Sequence, residues 1–131
     1  MILVVDASAL VAIGLDEPER TRMQGCLQEA DEAVVAPVNL TEAGLALVLR
    51  HAKFTASQFH EWVQGHGIAE RHVAGIDALA AYLQYGKGVH RAGLNLGDCF
   101  AYALAKQLEA PLLYKGADFV FTDVRSALQP T

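Results

Sequence analysis

Short apolar runs alternate along the chain with longer segments in which apolar residues recur every three or four positions. Short β-branched runs predict buried parallel strands, and the longer periodic segments predict amphipathic helices. Strands are predicted at Met1–Val5, Ala33–Ala36, Ile68–Val73 and Leu112–Tyr114, with a short last one at Val120–Val124. Helices are predicted at Asp6–Gly14, Asp16–Ala30, Val38–His51, Thr55–Gly65, Gly75–Tyr85 and Gly97–Glu109.

This alternation of strands and helices predicts an α/β fold, a three-layer α/β/α sandwich with a central parallel sheet. The chain has 131 residues, of which 53% are hydrophobic and 19% charged, enough apolar material for a core and too much for a disordered chain. It contains no linker, low-complexity tract or internal repeat. We therefore expect one domain over residues 1–131.

Four acidic residues fall where this fold would gather them. Asp6 follows the first strand directly and Asp118 follows the fourth shortly, while Glu42 and Asp98 lie in the first turns of long helices. Because sites in parallel sheets form at the carboxyl ends of the strands, the four are expected to meet at one edge. Each one alone would more simply be a helix N-cap or a first-turn acid that suits the helix dipole.

A cluster of carboxylates predicts a site for a divalent cation. Crowded carboxylates raise one another's pKa unless a cation is present, and Mg²⁺ or Mn²⁺ prefers all-oxygen ligands. Such a site can activate water for attack on a phosphodiester. We expect Asp6 and Asp98 as the main direct ligands, Glu42 as a ligand or an orienter of water, and Asp118 as a ligand through water.

Three polar residues near these acids could support them. Ser8 could hydrogen-bond a ligand carboxylate or a metal-bound water, while Asn39 and Asn95, each three residues before an acid, could hold the loops in shape. Helix or turn capping is the alternative interpretation for all three.

The strings VVDASAL, NLTEAGLAL, LNLGDCFAYALAK and LLYKGADFVFTDV resemble, in this order and spacing, the PIN-domain family. The resemblance is closest to the VapC-type toxins of bacterial toxin–antitoxin pairs and extends from Met1 to about Val124. It implies a metal-dependent endoribonuclease with Asp6, Glu42, Asp98 and Asp118 as its site acids. It also implies a homodimer, a VapB-type antitoxin that blocks the site and joins a larger assembly, and tRNA or rRNA as the target.

The chain departs from the family pattern at Ala117, where many relatives carry another acid. Asp123 could compensate as an outer acid of the site, and a structural role in a turn is its alternative. Two other functions stay open. One is a phosphatase with Asp6 as nucleophile, although Ser8 stands where that chemistry wants a second acid and Glu42 would have no role. The other is a non-catalytic PIN-like binding module.

The formal charge of −5 argues weakly against broad, non-specific binding of nucleic acid. Contacts to RNA phosphates are expected from Lys115, Arg91, Lys87 and His90, whereas Arg50 and Lys53 are interpreted as a solvated helix end. Two cysteines make no disulfide framework, and the first apolar run is too short for a signal peptide or a membrane span. We expect a reducing, cytoplasmic context.

Overall fold

Strands and helices alternate as predicted in the computed structural model, which describes residues 1 to 128. The strands are β1 (Ile2–Val5), β2 (Glu32–Val35), β3 (Ile68–Glu70) and β4 (Leu112–Leu113). The α-helices are α1 (Ala7–Gly14), α2 (Arg20–Glu29), α3 (Pro37–Gly44), α4 (Ala56–Gly65), α5 (Gly75–Tyr85) and α6 (Leu96–Gln107). A π-helical segment, Leu45–Arg50, directly continues α3 and is called the π segment below.

The strands form one parallel sheet in the order β3-β2-β1-β4. Strand β1 is central, and its Val4 is paired with Val34 of β2 on one side and Leu112 of β4 on the other. The carboxyl end of β1 therefore lies in the middle of one edge of the sheet. Asp6 is the first residue beyond it.

Two separate hydrophobic clusters cover the two faces of the sheet. Successive side chains of a strand point to opposite faces, so Leu3 and Val5 join one cluster and Val4 joins the other. The first cluster includes Leu10 of α1, Met23 of α2, Leu47 of the π segment and Phe59 of α4; the second includes Ala81 of α5 and Leu104 of α6. The predicted three-layer α/β/α sandwich is thereby confirmed.

The predicted last strand at Val120–Val124 is wrong. The chain turns there instead, with the Val120 N–H donating to the Ala117 carbonyl and the Thr122 N–H donating to the Phe119 carbonyl. Phe119 is the anchor of this turn because it is only 2% exposed, whereas the β-favouring Val120 stays on the surface. The chain next touches the sheet at Ser126, through a single bridge to Leu112.

Two helices also differ from their predicted bounds. The second helix was expected from Asp16 but begins at Arg20, because Asp16 has a φ of 55°, outside the helical region. The helix expected over Val38–His51 is α-helical to Gly44 and π-helical beyond it. The third strand, expected to reach Val73, ends at Glu70.

Candidate active site

The four predicted acids line one open pocket of about 570 Å³. It lies at the carboxyl edge of the sheet, where β1 and β4 end and where α1 and α6 begin. Asp6, Glu42, Asp98 and Asp118 share it with Ala7, Ser8, Val11, Glu17, Ala46, Arg50, His51, Lys115 and Gly116. Glu42 was expected in the first turn of its helix, but it is the sixth residue of α3 and reaches the pocket from the second half of that helix.

Asp6 is fixed at the end of β1 by both neighbouring elements. Its backbone N–H donates to the Leu113 carbonyl of β4 at 2.9 Å, and its side chain caps α1. The Oδ2 atom accepts hydrogen bonds from the Ser8 N–H at 3.1 Å and from the Ser8 Oγ at 2.6 Å. Ser8 Oγ in turn accepts from the Lys115 N–H at 3.0 Å. Ser8 therefore ties Asp6 to the loop that follows β4.

Glu42 is oriented by Asn39, one turn earlier on α3. The Asn39 side chain is fully buried, and its Nδ2 donates to Glu42 Oε1 at 3.1 Å and to the Gly97 carbonyl at 2.9 Å. Asn39 Oδ1 is buried and has no hydrogen-bond partner within the described residues. The amide thus links Glu42 of α3 to the residue that directly precedes Asp98 on α6.

Asp98 takes part in the cap of α6. Asn95 Oδ1 accepts from the Asp98 N–H at 2.8 Å, and Asp98 Oδ2 accepts from the Asn95 N–H at 3.1 Å, which together form a capping box. The Asp98 side chain is thereby held at the start of the helix, and the residue is 8% exposed. Asn95 was expected either to cap a helix or to support Asp98, and in this capping box it does both.

Asp118 reaches the pocket from a turn that has its own anchor. The neighbouring Phe119 is buried, and its ring lies 5.0 Å from that of Tyr114, centroid to centroid. Asp118 itself is exposed. Among the four acids it is the one most open to water, which suits the predicted contact through a water molecule.

The pocket accommodates negative charge poorly. Burial, followed by the charges of Asp6, Asp118 and Glu42, raises the pKa of Asp98 to about 7, against a partly opposing hydrogen bond from Asn95. Burial also raises the pKa of Asp6 and that of Glu42, with hydrogen bonds from Ser8 and Asn39 acting in the opposite direction. Five carboxylates line the pocket against the cationic side chains of Lys115 and Arg50. A cation in the pocket would relieve this repulsion.

The donor set fits a hard divalent cation that keeps part of its water. Within residues 1 to 128, no three His, Cys, Asp or Glu side chains are placed so that they could hold a metal ion between them. The carboxylates therefore face a common space without enclosing it. Mg²⁺ needs only one or two direct carboxylates because it keeps several waters, so an open, all-oxygen pocket of this kind suits it.

Some predicted site residues lie elsewhere. Asp123 does not line the pocket; it accepts a hydrogen bond from Tyr102 Oη at 2.6 Å and pairs with Lys106 Nζ at 3.1 Å. The structure therefore does not bring it to the cluster as an outer acid, since the turn after Asp118 carries it away. Arg91 also lies outside the lining, with its guanidinium 4.3 Å from the centre of the Phe121 ring.

The basic residues divide in the same way. Lys87 and His90, on the loop that precedes α6, do not line the pocket. Lys115 does line it, but its Nζ lies 3.0 Å from Glu17 and 3.6 Å from Glu19. Its charge is therefore already engaged.

Among the charged residues of the lining, sequence reasoning missed Glu17 and set Arg50 aside as part of a solvated helix end. The spacing of Glu42 and Arg50 gave no signal for Arg50, because eight residues of an α-helix turn position 50 about 80° away from position 42. The position of Arg50 at the end of that helix favoured the interpretation as a solvated terminus.

Comparison with known proteins identifies the family of the chain. The family model for the PIN domain matches residues 3–125. The chain belongs to the PIN-domain family. Ribonuclease VapC30 of Mycobacterium tuberculosis is 37% identical over 131 residues, covering 98% of this chain and 100% of that protein. Ribonuclease VapC of Mycolicibacterium smegmatis is 39% identical over 125 residues, covering 93% of this chain and 97% of that protein.

A solved PIN-domain toxin has the same fold. The crystal structure of Mycobacterium tuberculosis VapC20, described as a toxin that cleaves the sarcin–ricin loop, gives a TM-score of 0.70. The match covers 94% of this chain and 98% of that one. At 16% identity, this likeness supports the fold alone.

These relatives confirm the predicted PIN-domain family and the assignment to the VapC-type ribonucleases. They favour the nuclease over both alternatives, the aspartate-nucleophile phosphatase and the non-catalytic module. Ribonucleases of the VapC type generally depend on divalent metal ions and are generally paired with VapB antitoxins.

Proposed function

We propose that this chain is the toxin of a VapBC-type pair and cleaves structured RNA by water attack on a phosphodiester, in the pocket formed by Asp6, Glu42, Asp98 and Asp118. The observation that carries the proposal is the convergence of four distant acids on one sheet edge, in a chain whose relatives are ribonucleases. The specific target class, tRNA or rRNA, is part of the proposal.

Within this site, Asp6 and Asp98 would hold Mg²⁺ (or Mn²⁺) directly, because they are the two most buried acids of the pocket. Glu42 would be a further ligand or would orient the attacking water, and the exposed Asp118 would act through water. A bound divalent cation supplies activation of water and stabilisation of the leaving oxygen. The chain's own contribution is orientation, in which Ser8 fixes Asp6, Asn39 fixes Glu42 and Asn95 fixes Asp98.

The proposed partners are a VapB-type antitoxin and a second copy of the chain, with a larger assembly formed by both. Two exposed apolar side chains on the π segment, Leu45 and Leu49, favour such contacts. None of the helices in the described residues combines the length and apolar character needed to cross a membrane. We place the protein in the cytoplasm, where its RNA targets are.

Purified protein incubated with total RNA tests this function. Cleavage is expected with Mg²⁺ or Mn²⁺, and it should stop when a chelator is added and resume when excess metal is restored. Asp6→Asn should be inactive, whereas Glu61→Gln, which neutralises an exposed acid on α4 outside the pocket, should cleave like the parent. Cleavage that persists in chelator, or full activity of Asp6→Asn, would contradict the proposal.

Gly97→Ala tests whether the close approach of α6 to Glu42 matters for activity. A Cβ atom at position 97 would lie 2.3 Å from Glu42 Oε2 and 2.5 Å from Oε1, so the carboxylate must move. We expect RNA cleavage to fall about 10- to 100-fold, as for other displaced ligands or their supports. The melting temperature should not fall much, because Ala favours a helix over Gly.

Gly25→Ala is the matched control for this substitution. Gly25 lies inside α2, and a Cβ atom there would meet nothing within 4 Å. This variant should keep full activity and gain slightly in stability. Equal activity of Gly97→Ala and Gly25→Ala would show that the position of Glu42 is not critical.

A further inference from the structure

The π segment places Arg50 on the same face as Glu42. In a continuous α-helix, position 50 would lie about 80° around the axis from position 42, because eight residues make slightly more than two turns. From Leu45 to Arg50 the helix has wider π turns, and the His51 N–H donates to the Ala46 carbonyl, five residues earlier, at 2.9 Å. A π turn uses more residues than an α turn, so each residue rotates the chain less about the helix axis. The π segment thereby removes most of the angle of about 80° between positions 42 and 50. Glu42, Ala46 and Arg50 all line the pocket.

Arg50 is also the uncommitted cation of this pocket. The other one, Lys115, is paired with Glu17 and Glu19. Arg50 is exposed and makes no ion pair within 4.0 Å to any of residues 1 to 128. Burial raises the pKa of Glu42, and the positive charge of Arg50 partly opposes this rise. The guanidinium of Arg50 therefore lies close enough to act on the Glu42 carboxylate without forming an ion pair with it.

A phosphate that enters this pocket meets a mostly negative lining. The guanidinium group binds phosphate oxygens through two parallel hydrogen bonds and is more weakly hydrated than an ammonium group. An uncommitted arginine at the wall of the pocket is therefore the side chain best suited to receive the phosphate. The neighbouring Lys53 carries the same charge and is exposed, but it does not line the pocket.

We propose that Arg50 is a substrate-binding residue that contacts an RNA phosphate next to the carboxylate pocket, placed there by the π segment. This inference rests on the proposed ribonuclease function and adds to it a residue for RNA recognition. It replaces the interpretation of Arg50 as a solvated helix end. It also means that Lys115 contributes to RNA binding only if Glu17 and Glu19 release it.

The test measures RNA binding as a function of salt, because each phosphate contact contributes to the salt dependence. A fluorescently labelled RNA stem–loop with a randomised loop is titrated with protein in Mg²⁺. The protein carries Asp98→Asn, because this substitution limits cleavage of the RNA during the measurement. Adding Arg50→Gln should weaken binding about tenfold and reduce the slope of log K against log salt by about 0.7 to 0.9. Adding Arg50→Lys should keep most of the slope, because the charge stays.

Lys53→Gln in the same background is the matched control, because it removes the same charge three residues away. Its slope should change much less than that of Arg50→Gln. In otherwise unmodified protein, Arg50→Gln should raise KM for the stem–loop with a smaller effect on kcat, a split that loss of folding would not produce.

The outcomes separate this inference from the function on which it rests. If the parent binds and cleaves RNA but Arg50→Gln and Lys53→Gln have equal slopes and equal KM values, the role of Arg50 is overturned and the ribonuclease function stands. If the parent neither binds nor cleaves RNA, both are overturned.

Discussion

Replacing Asp98 by Asn is expected to lower the rate of RNA cleavage by about a thousandfold or more. The substitution removes a charged ligand oxygen from the most crowded position of the pocket, where three other acids act on Asp98. The fold should be kept, because the Oδ1 atom of Asn can still accept the hydrogen bond from the Asn95 N–H in the capping box. Initial rates on RNA in saturating Mn²⁺ measure the effect.

The same variant should be more stable than the parent when no metal is present. It removes a negative charge that burial and the neighbouring carboxylates oppose, and we expect a gain of about 1 kcal/mol after allowing for screening by solvent in the open pocket. That corresponds to a few degrees in Tm. Full activity of Asp98→Asn would contradict the role of Asp98 in the metal site. A Tm without metal that is no higher than that of the parent would contradict the predicted gain in stability. Glu61→Gln again serves as the control for a neutralised acid.

The metal-free protein is expected to lose stability as pH rises from about 5 to about 8, the reverse of ordinary acid denaturation. The pKa of Asp98 in the folded state is raised to about 7, above its value in the unfolded chain. Such a group contributes stability fully below its unfolded pKa, and the contribution is lost as pH rises through the folded pKa. The raised pKa values of Asp6 and Glu42 act in the same direction.

Divalent cations should reverse this trend. They bind the charged carboxylates of the folded protein, and a metal at a hundred times its Kd would add about 2.7 kcal/mol. Thermal melts in chelator and in Mn²⁺ at several pH values between about 5 and 8 measure both effects, and Asp98→Asn should give a flatter curve. The pKa of Asp123 is lowered, mainly by the hydrogen bond from Tyr102. Its contribution to the stability of the fold is therefore lost only at more acidic pH, below this window. A Tm in chelator that is constant or rises across the window would contradict the prediction.

The carboxylate cluster could be predicted because it depends on topology alone. Asp6 directly follows a β-branched strand, and Asp98 follows the cap of a long amphipathic helix, so both positions follow from periodicity. The support from Asn39 was expected only as loop shape. Its actual contact with the Gly97 carbonyl joins residues 58 positions apart, which no local pattern reveals.

The remaining differences have local physical causes. The apolar pattern of Val38–His51 predicts an uninterrupted α-helix and carries no signal for the π segment, so the sequence could not show that Arg50 faces the pocket. Val120 and Phe121 favour strands by propensity, but burial of Phe119 turns the chain and takes Asp123 away from Asp118. The ion pair of Lys115 with Glu17 depends on the turn at Asp16, whose positive φ no sequence rule required.

The hydrogen bonds of Ser8 and Asn39 divide the pocket into two halves. Ser8 connects Asp6 to the loop of Lys115 and Asp118, and Asn39 connects Glu42 to the start of α6 and Asp98. Within residues 1 to 128, no side-chain hydrogen bond joins an acid of one half to a residue of the other. Asp6 and Asp98, the two residues proposed to hold a divalent cation directly, therefore belong to different halves, so the substitution of either one would leave the cation with direct ligands from one half alone.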